Sequence, residues 1–136
     1  MAPTALCTHT PVEPDAAGHA SIVAADIDGG SSDACGIKSL AASKTSFDCS
    51  NVGENTVTLT VTDKNDNAST CDATVTVQDK VAPTALCKNI TVQLDAAGHA
   101  SIVAADIDGG SSDACGIKSL VASKPAFDCS NVGENT

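Results

Sequence analysis

Thr56-Val57-Thr58-Leu59-Thr60-Val61-Thr62 alternates without a break, with Val57, Leu59 and Val61 in one phase and four threonines in the other. Side chains on a strand point to opposite faces in turn, so this is a strand with one buried and one solvated face. A second alternation follows, with Cys71, Ala73, Val75 and Val77 in the inward phase and Thr70, Asp72, Thr74 and Thr76 outward. Between them, Asp63-Lys64-Asn65-Asp66-Asn67 is dense in turn formers, and the two strands are predicted to pair as an antiparallel hairpin.

Upstream the signals are shorter. Pro3 to Cys7 and Thr91 to Leu94 read as edge strands, and His19 to Ala25 as a central strand entered through the turn Asp15-Ala16-Ala17-Gly18. Cys35 to Ser43 carries a weaker strand pattern. The alanine-rich pieces are too short, and too often broken by glycine, serine or β-branched residues, to predict a helix. Short strands at close spacing predict an all-β fold, an immunoglobulin-like antiparallel β-sandwich.

The pattern repeats. Ala2-Pro3-Thr4-Ala5-Leu6-Cys7 returns as Ala82-Pro83-Thr84-Ala85-Leu86-Cys87, and Asp15 to Leu40 returns letter for letter as Asp95 to Leu120, a period of 80 residues. That length exceeds a solenoid unit and suits a domain that folds alone. The expected organisation is a complete domain over 1–80 and a second over 81–136, cut before its last hairpin because Thr136 corresponds to Thr56. Met1 stands where the second copy has Val81, as a start codon placed on an excised repeat would.

With two phenylalanines, no tyrosine and no tryptophan, the core is made of small aliphatic side chains, and a thin core calls for extra bracing. Cysteine supplies it: Cys7, Cys35, Cys49 and Cys71 in the first copy, then Cys87, Cys115 and Cys129. No pair has Cys-x-x-Cys spacing, and His9, His19 and His99 complete no zinc pattern, so a disulfide framework in an oxidising compartment is expected. Four cysteines allow three pairings. In a sandwich the first strand lies near the last, which pairs Cys7 with Cys71, then Cys35 with Cys49 and Cys115 with Cys129, leaving the partner of Cys87 outside the chain. Chain-entropy estimates assign roughly 3 kcal/mol to the short loop and about 4 to the long one.

The net charge of −10 argues against nucleic acid, and no stretch approaches the length of a transmembrane helix. Neither is a catalytic constellation visible: His19 and His99 each follow a turn glycine, and His9 is replaced by Asn89 in the second copy. The chain is not expected to be an enzyme.

The order of landmarks resembles the hyalin repeat (HYR) family along the whole chain. They are Ala-Pro-Thr-Ala-Leu-Cys, Leu-Asp-Ala-Ala-Gly-His-Ala, Ser-Asp-Ala-Cys-Gly-Ile, Phe-Asp-Cys-Ser-Asn-Val-Gly and the segment Thr60 to Asp79. The resemblance implies an immunoglobulin-like module of extracellular, cell-surface or matrix proteins, often in long arrays and involved in adhesion. Where such repeats commonly carry a Gly-Asn turn in the last hairpin, this chain has Asp66-Asn67.

Oxygen-rich loops make calcium the one cofactor to consider. Asp26, Asp28 and Asp33 lie on a glycine-containing loop repeated as Asp106, Asp108 and Asp113, and Asp63, Asn65 and Asp66 echo a cadherin linker motif. Asp79, in the linker, is placed to join Asp106 or Asp108 in a calcium site. The alternative is that aspartate, asparagine and glycine are simply what turns are made of. Thr56, Thr58, Thr60 and Thr62 form a ladder that binds sugar or a neighbouring chain, or is an ordinary solvated strand face. Asn67-Ala68-Ser69 and Asn89-Ile90-Thr91 match the glycosylation acceptor pattern.

Two functions follow as expectations. In one, the repeats are structural spacers of a stalk, adhesin or surface filament, with further copies of the repeat as their partners. In the other, exposed loops recognise a surface receptor or glycan. Near-identity of the copies favours the first, because a dedicated binding domain needs only one.

Overall fold

The computed structural model describes residues 1–136. The chain is mostly β and divides into two compact units, Met1–Val81 and Ala82–Thr136.

Unit 1 is organised by the long hairpin. Strand β5 (Gly53–Asp63) pairs antiparallel with β6 (Ala68–Val77), with Leu59 opposite Cys71 and Thr60 opposite Thr70. The alternation sorts side chains as strand geometry demands: Val57, Leu59, Val61, Ala73, Val75 and Val77 are buried, and the threonines lie on the other face. The turn closes with Asp66 N–H donating to the Asp63 carbonyl (3.1 Å) and Asp63 N–H to the Asn67 carbonyl (2.9 Å). Asp66 is the one non-glycine residue with positive φ, at 66°. It therefore takes the left-handed position that glycine fills most easily, and aspartate is among the few side chains that tolerate it.

Two more strands complete this sheet, in the order β1-β6-β5-β3. Strand β3 (Ile37–Ala42) runs antiparallel to β5, and β1 (Thr10–Val12) runs parallel to β6. Pro11 lacks an amide hydrogen, which an edge strand tolerates. A separate pair, β2 (His19–Ser21) with β4 (Ser46–Asp48), contributes Phe47, and the loop after β2 contributes Ile22 and Ile27. Side chains from both sheets form one buried cluster. Lys44 covers its edge, its ammonium 5.3 Å from the Phe47 ring centroid.

The segment Thr4–Thr8 is zipped along residues 27–32. Thr4 N–H donates to the Ser32 carbonyl (2.8 Å), Gly29 N–H to the Leu6 carbonyl (2.8 Å), and Thr8 N–H to the Ile27 carbonyl (2.9 Å). A Cβ on Gly29 would lie 2.9 Å from the Cys7 carbonyl oxygen, so only glycine allows this approach. The zipper brings Cys7 to Cys71, and the two are disulfide-bonded with a Cα–Cα distance of 5.9 Å.

Several expectations are corrected. Pro3 to Cys7 forms isolated bridges rather than a strand, and the edge strand is instead Thr10–Val12. The strand expected over His19 to Ala25 stops at Ser21. There Asp26 accepts the Val23 N–H (2.8 Å) and turns the chain into a 3-10 turn over Ala24–Ile27. Thr91 to Leu94 is not strand.

The pairing of Cys35 with Cys49, and likewise of Cys115 with Cys129, is not formed: Cys35 and Cys129 are free, exposed thiols. The geometry explains it. Gly36 accepts the Lys64 N–H (3.2 Å) at the hairpin-turn end of β5, whereas Cys49 begins the short turn Cys49–Asn51 that leads into Gly53 at the other end. An 11-residue strand separates the two ends. At about 3.3 Å per residue that is roughly 35 Å, against the roughly 6 Å between Cα atoms that a disulfide requires. Cys49 is not itself a free thiol.

Unit 2 repeats the early elements. Strands β7 (His99–Ser101) and β8 (Ala126–Asp128) pair as β2 and β4 do, and a single helical turn, Ala104–Ile107, matches Ala24–Ile27. The zipper recurs, with Gly109 N–H donating to the Leu86 carbonyl at 2.7 Å. Unit 2 has no counterpart of β5 and β6. Its residues 90–92 and 117–122, which match β1 and β3, are not strands.

Candidate functional site

The acidic loops of unit 1 are held by their own carboxylates. Asp28 accepts from Ser31 N–H (2.9 Å) and Gly30 N–H (3.3 Å), Asp33 from Cys35 N–H (2.8 Å), and Asp79 from Val81 N–H (3.0 Å). Asp66 pairs with the ammonium of Lys38. In unit 2, Asp106 accepts from Val103 N–H (2.9 Å), Asp108 from Ser111 N–H (2.9 Å) and Asp113 from Cys115 N–H (2.8 Å). Within either unit, no three of these carboxylates bring oxygens within 4.8 Å of one another. What each loop does is fasten its own backbone, the role short polar side chains commonly play in turns.

Asp63, expected from the sequence as a turn residue and candidate calcium ligand, is the exception in burial. It is 1% exposed and is the one buried charged residue. The signal was present: Asp63 continues the inward phase of Val57, Leu59 and Val61. Its Oδ1 accepts from Asn65 N–H (2.8 Å) and Asn67 N–H (2.9 Å), and its Oδ2 from Asn67 Nδ2 (3.0 Å). The Asn67 side chain, then its backbone amide and that of Asn65, hold the Asp63 carboxyl below the ordinary aspartate value of 3.8 despite burial. Asp28 and Asp48 are lowered chiefly by Ser31 and Ser50, and Asp15 chiefly by the His19 amide.

A carboxyl that is more acidic in the folded chain contributes stability that is fully present above the unfolded value. That contribution is lost as pH falls through the folded value. Unit 1 is therefore expected to hold its melting temperature down to about pH 4 and to lose stability below it. An Asp63→Asn variant should melt lower at neutral pH, since its amide nitrogen would face that of Asn67, and should show a flatter acid limb. An acid limb unchanged in that variant would remove Asp63 from this role.

The remaining candidates have structural uses. His9 Nδ1 accepts the Thr74 N–H (2.8 Å) beside the start of the parallel β1–β6 pairing, a role the sequence did not announce. The threonine ladder faces its partners across the hairpin, Thr56 against Thr74 and Thr60 against Thr70, and Thr58 donates to Asp72 (2.8 Å). Asn67 spends its amide hydrogens on Asp63 and on the Met1 carbonyl (3.4 Å), so a glycan there would break that bonding. No helix is long and apolar enough to cross a membrane.

Unit 2 carries a broad concavity. It is an open groove of about 950 Å³ walled by Ile90, Val92, Ile102, Ile107, Phe127 and Val132, with Cys87 at its margin. Cys87 is a free, exposed thiol.

The chain matches no protein-family model, no curated protein and no solved structure.

Proposed function

We propose that this chain is a structural repeat of hyalin-repeat type: an immunoglobulin-like, disulfide-braced spacer of an extracellular stalk, adhesin or surface filament. The observation that carries this reading is the Cys7–Cys71 disulfide, which ties the entry of the 80-residue repeat to its last strand across 64 residues. A module stapled from beginning to end suits a position in an array, because the linkers pull on those segments. Oxidised cysteine of this kind belongs to secreted and surface proteins. The sandwich reading is supported by the strand order. A β3-β5-β6 sheet, with β1 parallel to β6 and a separate β2–β4 pair, matches how the two sheets of an immunoglobulin-like domain are assembled. The carboxylates that fasten their own loops support a scaffold role over recognition of a ligand.

Arrays carrying increasing numbers of complete repeats would test the proposal by small-angle scattering. The longest strand has 11 residues, so each added repeat should lengthen the particle by roughly 35–40 Å. An array whose maximum dimension fails to grow with repeat number would refute a spacer.

A further inference from the structure

Strand β1 ends one side of the unit 1 sheet, whose order is β1-β6-β5-β3, so its outer side is open. The backbone groups of one residue point to one side of a strand, and those of its neighbours to the other. Gln78 N–H donates to the Val12 carbonyl (2.9 Å), so Thr10 and Val12 turn their backbone groups to β6 and Pro11 turns its own outward. Pro11 is exposed, and its nitrogen carries no hydrogen. The missing donor thus lies on the open side, where an added strand would need it.

The opposite edge is guarded in another way. Strand β3 has a bulge between Ile37 and Ser39, and Lys38, inside it, is ion-paired with Asp66. A bulge and an edge lysine both discourage strand addition. That guard is common to the two copies, since Ile37 to Leu40 recurs as Ile117 to Leu120. The β1 guard is not. Positions 8–14 and 88–94 share only the valine at 12 and 92, although Asp15 to Leu40 is repeated without change. Thr91 replaces Pro11, Asn89 replaces His9 and Gln93 replaces Glu13. Glu13 is also ion-paired with Lys80 at 2.6 Å, and Gln93 has no charge for such a pair.

We propose that this segment decides whether a repeat joins a second copy of the chain edge to edge: Asn89-Ile90-Thr91-Val92-Gln93 is a self-complementary edge strand, and Pro11 closes the same edge in the first repeat. Two such strands, antiparallel about Thr91, set one Thr91 opposite the other, and each amide donates to the facing carbonyl. Asn89 falls opposite Gln93 on both sides of the twofold axis, so neutral amides meet and no like charges are opposed. Ile90 falls opposite Val92, a β-branched pair suited to a strand. Proline at the centre removes both central donors and leaves two carbonyl oxygens face to face. Because the β3 edge is guarded, the contact closes as a twofold dimer and does not propagate into a continuous sheet.

Unit 1 offers a whole sheet on which to test this. The full chain with His9→Asn, Thr10→Ile, Pro11→Thr and Glu13→Gln is compared with the unaltered chain by sedimentation velocity over a range of concentrations. Two restored hydrogen bonds correspond to roughly ten- to hundredfold in the association constant, and the product should be a dimer. Hydrogen exchange at the amide of position 11 should slow as concentration rises. Thr8 and Pro14 distinguish that peptide by mass from the one flanked by Lys88 and Leu94. With Pro11 kept and the other three changes made, the chain should associate no more than the unaltered one. Pro11→Thr alone, an exposed substitution that costs no bond to β6, should give part of the gain. No gain on grafting, association without protection at position 11, or equal association with Pro11 kept would each overturn the proposal. A graft that failed to fold would show fast exchange across β5 and β6, and the Pro11→Thr chain then decides. Protection of its position 11 amide with concentration supports the proposal, and lack of protection overturns it.

Discussion

Replacing Cys7 and Cys71 together by serine, or reducing their bond, is expected to destabilise unit 1 by about 4 kcal/mol. The bridge spans 64 residues, nearly the whole repeat, so without it the unfolded chain recovers almost all of its freedom. Both cysteines are half-buried, and serine fits there with little further penalty. A small domain is held by about 5–15 kcal/mol in all, and this core contains one phenylalanine and otherwise small aliphatic side chains. The loss is therefore a large part of the total. Urea unfolding of the full chain beside its Cys7→Ser/Cys71→Ser variant measures it. The midpoint should fall sharply in the variant and the slope should rise, because an unfolded chain without this crosslink exposes more surface. A midpoint that the double substitution does not move would show that the bridge stabilises nothing and would take the main support from the spacer reading.

The parts of this fold that were legible are those fixed by local period. Alternation over 56–62 and 71–77 states which face is buried, and the turn-forming run between them states how the strands connect. Cys7 to Cys71 follows from the inward phase of Cys71 and the closeness of chain entry and exit. What was not legible depends on distances along a strand that local pattern does not encode. Cys35 and Cys49 look like neighbours in sequence, yet the chain crosses between sheets after β3, and the crossing leaves them at opposite ends of β5. The parallel β1 strand is three residues long with a proline at its centre, too little for a period to declare itself. Asp26 ends the β2 segment with one side-chain hydrogen bond, a local choice that overrides the apolar run Ile22-Val23-Ala24.

The acidic residues were legible as turn formers but not in their burial. Asp66 and Asp63 stand three positions apart in one turn; one is exposed and ion-paired with Lys38, and the other is among the most enclosed side chains of the molecule. The inward phase of β5 separates them, and a reading that treated Asp63-Lys64-Asn65-Asp66-Asn67 as a single loop stopped that phase one residue too early.

Leu59→Ala should cost unit 1 about 2–5 kcal/mol, the second large effect. Leu59 is fully buried, lies midway along β5 and is the one leucine in a core whose neighbours are mainly valine and isoleucine. Those β-branched side chains have few rotamers, so they cannot swing in to fill the space, and the value should lie toward the upper end. Thr60→Ala, one residue away on the outer face, should change stability by less than about 0.5 kcal/mol. Leu59 also sits directly opposite Cys71, so the cavity and the disulfide share a site and their effects should not add. The gentler Leu59→Val change, costing about 1 kcal/mol, allows a cycle with Cys7→Ser/Cys71→Ser. With the bridge intact, β6 is pinned at Cys71 and cannot close on the lost methylene; once it is cut, the strand can settle inward. Leu59→Val should then cost less in the unbridged chain, by more than the roughly 0.3–0.5 kcal/mol within which independent sites add. Equal costs in both backgrounds would mean that the bridge acts only on the unfolded chain and leaves the packing of the folded one untouched.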